Sequence, residues 1–234
     1  PKLPPVTSRP SLATRTASSR PFGKRATTPS SMPTSASCPR PSPTKASHVS
    51  EDMNGKIDMI IDGGAVGIGV ESTIIDLTSD IPTLLRPGAV TLEMLRKICE
   101  RVDVDPAIEH LLTGSEAPKA PGMKYKHYAP KADMKLVRGD ESAVLRYMKD
   151  RIKDCDKTMA LLTVDEHKKD LEAEANGKKG INILSLGSIK NPSSIAHNLF
   201  DVLRKCDEIG VEYILSEVFD ESGIGKAGYY LQKL

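Results

Sequence analysis

The stretch "DGGAVGIGVEST", residues 62–73, combines glycines with hydroxyl groups in a way that suits a small polar ligand. Glycines let the backbone approach a ligand closely, and Ser72 and Thr73 carry hydroxyls where a strand is expected to begin. Arg86 precedes a Pro-Gly pair, a place where a fixed guanidinium can bind phosphate. On composition alone, residues 62–73 could instead be a β-hairpin with glycine bends, and Arg86 could instead be a surface charge.

A second cluster, "KYKHYAP" at residues 124–130, places lysines beside tyrosines and a histidine. Cations next to aromatic rings suit stacking on a base and contact with phosphate, although a linker packed on its neighbours has the same composition. The stretch "GIGKAG" at residues 223–228 matches the glycine pattern of dinucleotide-binding turns. Dinucleotide binding also needs a following strand and an acidic residue about 20 positions on, and neither follows in this sequence. We therefore predict a glycine-rich turn before a last helix.

Other titratable residues give weaker signals. Glu71 and Asp76 are expected on opposite faces of one extended strand, which does not suit an acid–base pair. Four histidines stand alone on predicted helices or at their ends and are interpreted as structural or surface residues: His48, His110, His167 and His197.

Composition excludes several classes of protein. The longest apolar stretch, "MIIDGGAVGIGV", contains Asp62 and is shorter than the roughly 18 residues of a membrane-spanning helix. The four cysteines form no CxxC pair and lie near no histidine at metal-ligand spacing, which predicts a soluble, cytoplasmic protein without disulfides or a zinc site. Eight of the 33 basic residues and none of the 31 acidic ones fall in residues 1–50, so the rest of the chain is net acidic.

The elements that position these residues begin near residue 40. A short helix is expected over residues 44–53, capped by Thr44 or Ser47. Strands are predicted in "KIDMIIDGG", "GVESTIIDLT" and "PTLLRPG", and apolar spacing in "VTLEMLRKICERV" predicts a helix capped by Thr91. The Pro-, Gly- and Lys-rich residues 113–132 are interpreted as an interdomain linker.

After this linker, strands alternate with helices. The predicted strands are "MKLVRG", "TMALLTV", "INILSLG" and "VEYILSEVF", and the predicted helices are "ESAVLRYMKDRIKD", "DEHKKDLEAEA" and "SSIAHNLFDVLRKCDEIG". Ser193 or Ser194 is expected to cap the last helix, and Gly210 to end it. The alternation predicts an α/β fold with a Rossmann-like open parallel sheet over residues 133–234.

Four of these stretches together are typical of one enzyme family. They are "RPSPTKASHV", "IDGGAVGIGVESTIIDLT", "LLRPGAVTLEML" and "APGMKYKHYAPKA". In this order and spacing, they make the chain resemble the two-domain L-threonylcarbamoyl-AMP synthases from residue 40 to about residue 225. The resemblance implies that residues 40–112 are the C-terminal part of a YrdC-type α/β catalytic domain, followed by the linker and the Rossmann-like domain.

The resemblance also implies a nucleotidyltransferase reaction. L-Threonine, bicarbonate and ATP would give threonylcarbamoyl-AMP and pyrophosphate, with magnesium accompanying ATP. The product would supply a downstream tRNA-modifying complex that makes threonylcarbamoyladenosine. Matching positions imply ATP-binding roles for Ser42, Arg86 and Tyr125, an L-threonine-binding role for Ser72, and weaker candidates in His127 and Tyr128. The resemblance assigns no residue here a catalytic role, and no metal-binding residue is expected.

The segment over residues 1–39 does not share the resemblance. Residues 1–40 contain fourteen Ser and Thr residues and eight prolines, a composition that cannot form a core. The family's Lys-x-Arg and Ser-x-Asn residues, which the resemblance implies for binding ATP and carbamate, have no counterpart here. We interpret the segment as translation in a wrong frame, with a basic disordered arm or a transit peptide as alternatives. The chain as written is therefore expected to be inactive.

A function of another class stays open at this point. A YrdC-type domain presents a basic concave surface, and a basic segment precedes it here, so a non-catalytic RNA-binding module is the alternative. Threonine-dependent ATP consumption would favour the enzyme, and salt-sensitive RNA binding without turnover would favour the module. A nucleotide-sensing role for the C-terminal domain has no sequence fingerprint.

Overall fold

A computed structural model describes residues 41–109 and 129–218 of the chain. These two ranges contain six helices and seven strands, and the strands form one three-stranded and one four-stranded sheet. Within the two ranges, no helix is long and apolar enough to cross a membrane.

The first range holds three helices and three strands around a small core. In chain order they are α1 (Ala46–Met53), β1 (Ile74–Asp76), β2 (Thr83–Arg86), α2 (Leu92–Arg96), β3 (Asp103–Val104) and α3 (Pro106–Glu109). β2 lies in the middle of the sheet, antiparallel to β1 and parallel to β3. Leu84, Val102 and Ile108 form the centre of the core beneath it.

Several apolar side chains of the first range are exposed. Residues 57–63 form no strand in the described part of the chain, so the strand predicted in "KIDMIIDGG" is wrong. The physical reason is that a strand needs a partner for its backbone groups, and no described strand pairs with this segment. Met59, Ile61 and Ile98 are 77%, 89% and 86% exposed. Apolar side chains exposed to this extent are typical of surfaces that contact other molecules.

The second range contains a regular alternation of strands and helices. Its elements are β4 (Asp133–Val137), α4 (Glu141–Asp154), β5 (Met159–Val164), α5 (Asp165–Ala175), β6 (Ile181–Gly187), α6 (Pro192–Ile209) and β7 (Tyr213–Glu217). All four strands are parallel, in the order β4-β7-β5-β6. β5 is fully buried because both of its faces are covered.

Helices lie on both faces of this sheet and form two separate apolar cores. Met148 and Ile152 of α4 pack with Leu171 of α5 on one face. On the other face, α6 contributes Leu199 and Leu203 to a second core. This arrangement confirms the predicted Rossmann-like open parallel sheet.

The helix ends agree with the sequence only in part. Gly210 has a φ of 73° and ends α6 in the left-handed conformation, as predicted. The predicted cap of α6 is wrong, because Asn191 is the N-cap and Pro192 follows it. Ser194 instead accepts a hydrogen bond from the Ser188 backbone N–H at 3.0 Å. The predicted cap of α1, Thr44 or Ser47, is also wrong, since Lys45 occupies the N-cap without a side-chain hydrogen bond.

A polar cluster lies at the carboxyl ends of β5 and β7. His167 Nδ1 is 3.0 Å from Glu217 Oε1, and its Nε2 is 2.9 Å from Glu141 Oε1. Thr163 Oγ1 donates a further hydrogen bond to Glu217, and Thr163, His167 and Glu217 are all buried. Burial opposes protonation of His167, but the hydrogen bonds and charges of the two glutamates raise its pKa. Both ring nitrogens face carboxylate oxygens, so the protonated form donates from both and ties the first turns of α4 and α5 to the sheet.

The variant His167→Gln tests this ionic role. Because the folded-state pKa is raised, the stabilisation is complete below the unfolded histidine pKa of about 6.5 and is lost as the pH rises through the folded value. We expect the variant to lose about 1–3 kcal/mol of unfolding free energy at pH 6 and less at pH 9. Denaturant unfolding followed by circular dichroism at both pH values measures the difference.

A matched control is Lys168→Gln, which removes a neighbouring charge from an exposed ion pair with Glu172. This control is expected to change the unfolding free energy little at either pH. A loss of stability in His167→Gln that is the same at pH 6 and pH 9 would contradict the ionic role.

Candidate active site

Three of the four predicted binding residues meet at one end of the sheet in the first range. Ser42 lies in the loop before α1, Ser72 lies two residues before β1, and Arg86 is the last residue of β2. Ile74 of β1 is opposite Arg86 in the antiparallel register. The segment that leads into β1 therefore passes alongside the end of β2 and brings Ser72 to Arg86.

The guanidinium of Arg86 holds this segment by both backbone and side-chain contacts. Its Nε donates to the Ser72 carbonyl oxygen at 2.9 Å, and its Nη2 donates to Ser72 Oγ at 3.0 Å. Arg86 is buried, whereas Ser72 is exposed. The cation is thus fixed in place, and the serine beside it stays accessible to a ligand.

Glu71 completes the cluster. Ser42 Oγ donates to Glu71 Oε1 at 2.7 Å, and Arg86 Nη1 lies 3.4 Å from Glu71 Oε2. The sequence missed this residue because strand alternation compared Glu71 only with Asp76. Its position directly before Ser72 in "VEST" was the available signal. Asp76 has a separate local role and accepts hydrogen bonds from the backbone and hydroxyl of Thr78.

Gly88 lets the segment 86–88 pass unusually close to the segment 70–73. A Cβ at this position would lie 2.5 Å from the Glu71 carbonyl oxygen and would also overlap the Thr73 backbone. Thr73 fastens the same crossing, because its Oγ1 donates to the Val90 carbonyl at 2.8 Å and accepts from the Val90 N–H at 3.1 Å. The "RPG" and "VEST" stretches therefore form one structural unit.

The cluster offers a buried cation, a carboxylate and two hydroxyls within hydrogen-bond reach of one another. Charges of both signs next to hydroxyl donors suit a small polar ligand such as an amino acid, and a fixed guanidinium suits phosphate. Among the described residues, no group of three or more His, Cys, Asp or Glu side chains could hold a metal ion.

The remaining predicted residues lie elsewhere. Tyr125, His127, Tyr128 and residues 223–228 fall outside the described ranges. The described histidines do not stand alone as the sequence suggested. His48 and His197 both contact residues of the other range, Asp201 and Gly67 respectively.

Comparison with known proteins assigns the family. A family model described as threonylcarbamoyl-AMP synthase, C-terminal domain, matches residues 90–228. The chain belongs to the threonylcarbamoyl-AMP synthase family. A second model, described as telomere recombination and of the YrdC type, matches residues 15–88. The predicted combination of a YrdC-type and a C-terminal domain is therefore confirmed, and the RNA-binding module is not favoured. The match at residues 15–88 begins ahead of residue 40, where the motif resemblance starts.

Three relatives are threonylcarbamoyl-AMP synthases by name. The Pyrococcus abyssi protein is 41% identical over 188 residues, which are 80% of this chain and 52% of the relative. The Bacillus subtilis protein is 36% identical over 188 residues, with 80% and 51% covered. The Schizosaccharomyces pombe protein is 34% identical over 209 residues, with 85% and 50% covered.

A solved structure gives the same assignment. The crystal structure of Pyrococcus abyssi Sua5 complexed with L-threonine matches with a TM-score of 0.71 at 38% sequence identity, covering 83% of this chain and 54% of that chain. The chain spans about half the length of the curated relatives it matches.

The variant Gly88→Ala tests the close crossing of this synthase-family site. The added methyl group must displace the backbone of residues 71–73, so we expect a loss of about 1–3 kcal/mol in unfolding free energy. Gly139→Ala is the matched control, because its Cβ would meet only side chains, the nearest at 3.6 Å. Denaturant unfolding of both variants measures the effect, and equal stabilities would show that the crossing has room for a side chain.

Proposed function

We propose that this chain supplies part of the active site of an L-threonylcarbamoyl-AMP synthase. In the proposed reaction, the threonine amine attacks bicarbonate to give a carbamate and water. A carbamate oxygen then attacks the α-phosphorus of ATP, and pyrophosphate leaves. The observation that supports this function is the meeting of Ser42, Ser72 and Arg86 with Glu71 in a chain of this family.

L-Threonine is proposed to bind at Ser72. Ser72 is an exposed residue and its hydroxyl is oriented by Arg86, which suits contact with a ligand. The relative with 38% identity binds L-threonine in its crystal structure. Glu71 provides a carboxylate beside Ser72 that suits an ammonium or hydroxyl group of the amino acid.

ATP is proposed to bind beside Ser42 and Arg86, with Tyr125 contributing from outside the described ranges. The attack on the α-phosphorus concentrates negative charge on its oxygens, and a fixed guanidinium with hydroxyl donors stabilises that charge. A closed site would also protect the product, because an acyl adenylate hydrolyses readily in water. Magnesium is expected to arrive with the nucleotide, and we assign it to no protein side chain.

Threonylcarbamoyl-AMP would serve the enzyme complex that modifies adenosine in tRNA. We place this activity in the cytoplasm, because the free cysteines Cys99, Cys155 and Cys206 fit a reducing compartment.

The activity is proposed to require polypeptide that corresponds to the other half of the relatives. The chain spans about half of their length, and the apolar side chains of Met59, Ile61 and Ile98 are exposed where further polypeptide would cover them. A site with one wall open to water cannot stabilise charge as a closed site does.

The decisive assay follows pyrophosphate release from ATP and bicarbonate with and without L-threonine. We expect no threonine-dependent release from the chain alone. Release is expected after addition of a polypeptide that matches the first half of a bacterial relative. Release by the chain alone would contradict the requirement for that half. No release from the mixture would contradict the proposed function.

Two variants of the reconstituted mixture test the residue roles. Arg86→Lys keeps the charge but loses the fork of donors, so we expect kcat/KM to fall about 10- to 100-fold. Ser72→Ala is expected to raise the KM for L-threonine more than the KM for ATP. Ser79→Ala is the matched control, because Ser79 is exposed and its hydroxyl donates to the Ile81 carbonyl at 2.8 Å. Equal kinetics for Ser72→Ala and Ser79→Ala would reject the threonine site.

A further inference from the structure

Helix α6 presents different residues to two parts of the molecule. Its apolar side chains Ile195, Leu199 and Leu203 are buried in the core of the parallel sheet. His197, Asp201 and Arg204 follow one another at intervals of four and three positions, so they share another face of the helix. We name these three residues the α6 stripe. Each of them contacts the first range of the chain.

Arg204 is the most buried member of the stripe, with 3% of its surface exposed. Its Nε donates to the Pro41 carbonyl oxygen at 2.8 Å. Its Nη1 donates to Asp52 Oδ1 at 3.2 Å, and Nη2 contacts the second oxygen of the same carboxylate. Pro41 directly precedes Ser42, so Arg204 fixes the backbone next to a proposed ATP contact.

Asp201 contacts Lys45 and His48, which follow Pro41 and Ser42 in the same segment. Its carboxylate lies 2.5 Å from Lys45 Nζ and 3.2 Å from His48 Nε2. His48 Nδ1 accepts a hydrogen bond from the Thr44 N–H at 3.1 Å. Burial, followed by the charges of Arg204 and Lys45, lowers the pKa of His48. Because Nδ1 accepts the hydrogen bond from Thr44, the proton of the ring lies on Nε2, which faces Asp201.

His197 contacts the other segment that enters the site. Its Nδ1 lies 3.2 Å from the Gly67 carbonyl oxygen. A Cβ on Gly69 would overlap the backbone of His197, so only glycine allows this approach. Gly69 lies two residues before Glu71. The two segments also contact each other, because the Val66 N–H donates to the Thr44 carbonyl at 3.0 Å.

We propose that the α6 stripe positions the proposed substrate-binding segments of the synthase site, with Arg204 as the principal positioning residue. The stripe holds residues 41–48 and 67–69 side by side, and these segments carry Ser42 and lead into Glu71 and Ser72. The C-terminal domain thereby sets the distance between Ser42 and Glu71. The stripe touches neither of these side chains directly, so its effect on substrate passes through the backbone. This inference rests on the proposed function for the identity of the ligand, but not for the contacts.

Arg204→Lys is the variant of choice, because it keeps the positive charge and removes the planar fork. Arg151→Lys on α4 is the matched control, since its ion pair with Asp154 is exposed. Asp52→Asn is a second test variant that leaves Arg204 intact and weakens its partner. It keeps the test decisive if Arg204→Lys does not fold.

Hydrogen exchange on the full chain tests the positioning itself. In Arg204→Lys, amides of residues 41–49 and 66–73 are expected to exchange about tenfold faster, whereas those of α4 and α5 keep their protection. Arg151→Lys is expected to leave residues 41–49 and 66–73 unchanged. Unchanged exchange in these segments for both Arg204→Lys and Asp52→Asn would overturn the inference. Equal acceleration throughout the C-terminal domain would also overturn it, since that pattern indicates general destabilisation.

Kinetics of the reconstituted mixture provide the second readout. We expect Arg204→Lys to raise the KM for ATP about tenfold, with kcat changed less than about twofold. In a Ser42→Ala background the same substitution is expected to have little further effect, because positioning acts through Ser42. Additive effects would overturn the inference. A mixture that releases no pyrophosphate at all rejects the proposed function, and hydrogen exchange then decides the positioning role alone.

Discussion

Arg86 joins two stretches of chain that the sheet alone would hold only loosely. β1 has three residues, and its register with β2 shifts between Ile74 and Ile75. The guanidinium adds two hydrogen bonds to Ser72 and a charge facing Glu71. A planar donor fork can satisfy a carbonyl, a hydroxyl and a carboxylate together, which an ammonium group on a flexible stem does less well. The geometry of the whole cluster follows from this one buried cation.

The two ranges of the chain contribute unequally to rigidity. The first range has a small core and carries its binding residues on loops and strand ends. The second range has two large cores, and α6 is anchored in one of them. Binding residues keep their geometry only when their supports are themselves rigid. The α6 stripe links the loops of the first range to the larger cores of the second range through His197, Asp201 and Arg204.

Sequence patterns predicted the second range well and the first range poorly. The helices Glu141–Asp154 and Asp165–Ala175 and the strand Ile181–Gly187 have the predicted bounds, because both faces of this sheet are covered and local periodicity is satisfied. Residues 57–63 have the pattern of a strand without a described partner, so the pattern misled. A pairing partner is a tertiary property that local periodicity cannot supply.

The sequence likewise predicted some residues of the candidate site and missed others. Ser42, Ser72 and Arg86 were predicted as binding residues through motif resemblance, and the structure places them together. Glu71 was missed because the alternation rule assumed a regular strand, whereas β1 begins only at Ile74. Arg204 carried no local signal, since its partners Pro41 and Asp52 lie far away along the chain.

The strand order of the parallel sheet has a consequence for the order of folding. Of the four strands of this sheet, β4 is synthesised first, yet its neighbour in the sheet is β7, with Asp133 opposite Tyr213. Such a high contact order delays completion of the sheet until β7 has been synthesised. The anchorage of α6, and with it the shape of a site built from residues 41–88, is therefore a late event in the life of the nascent chain.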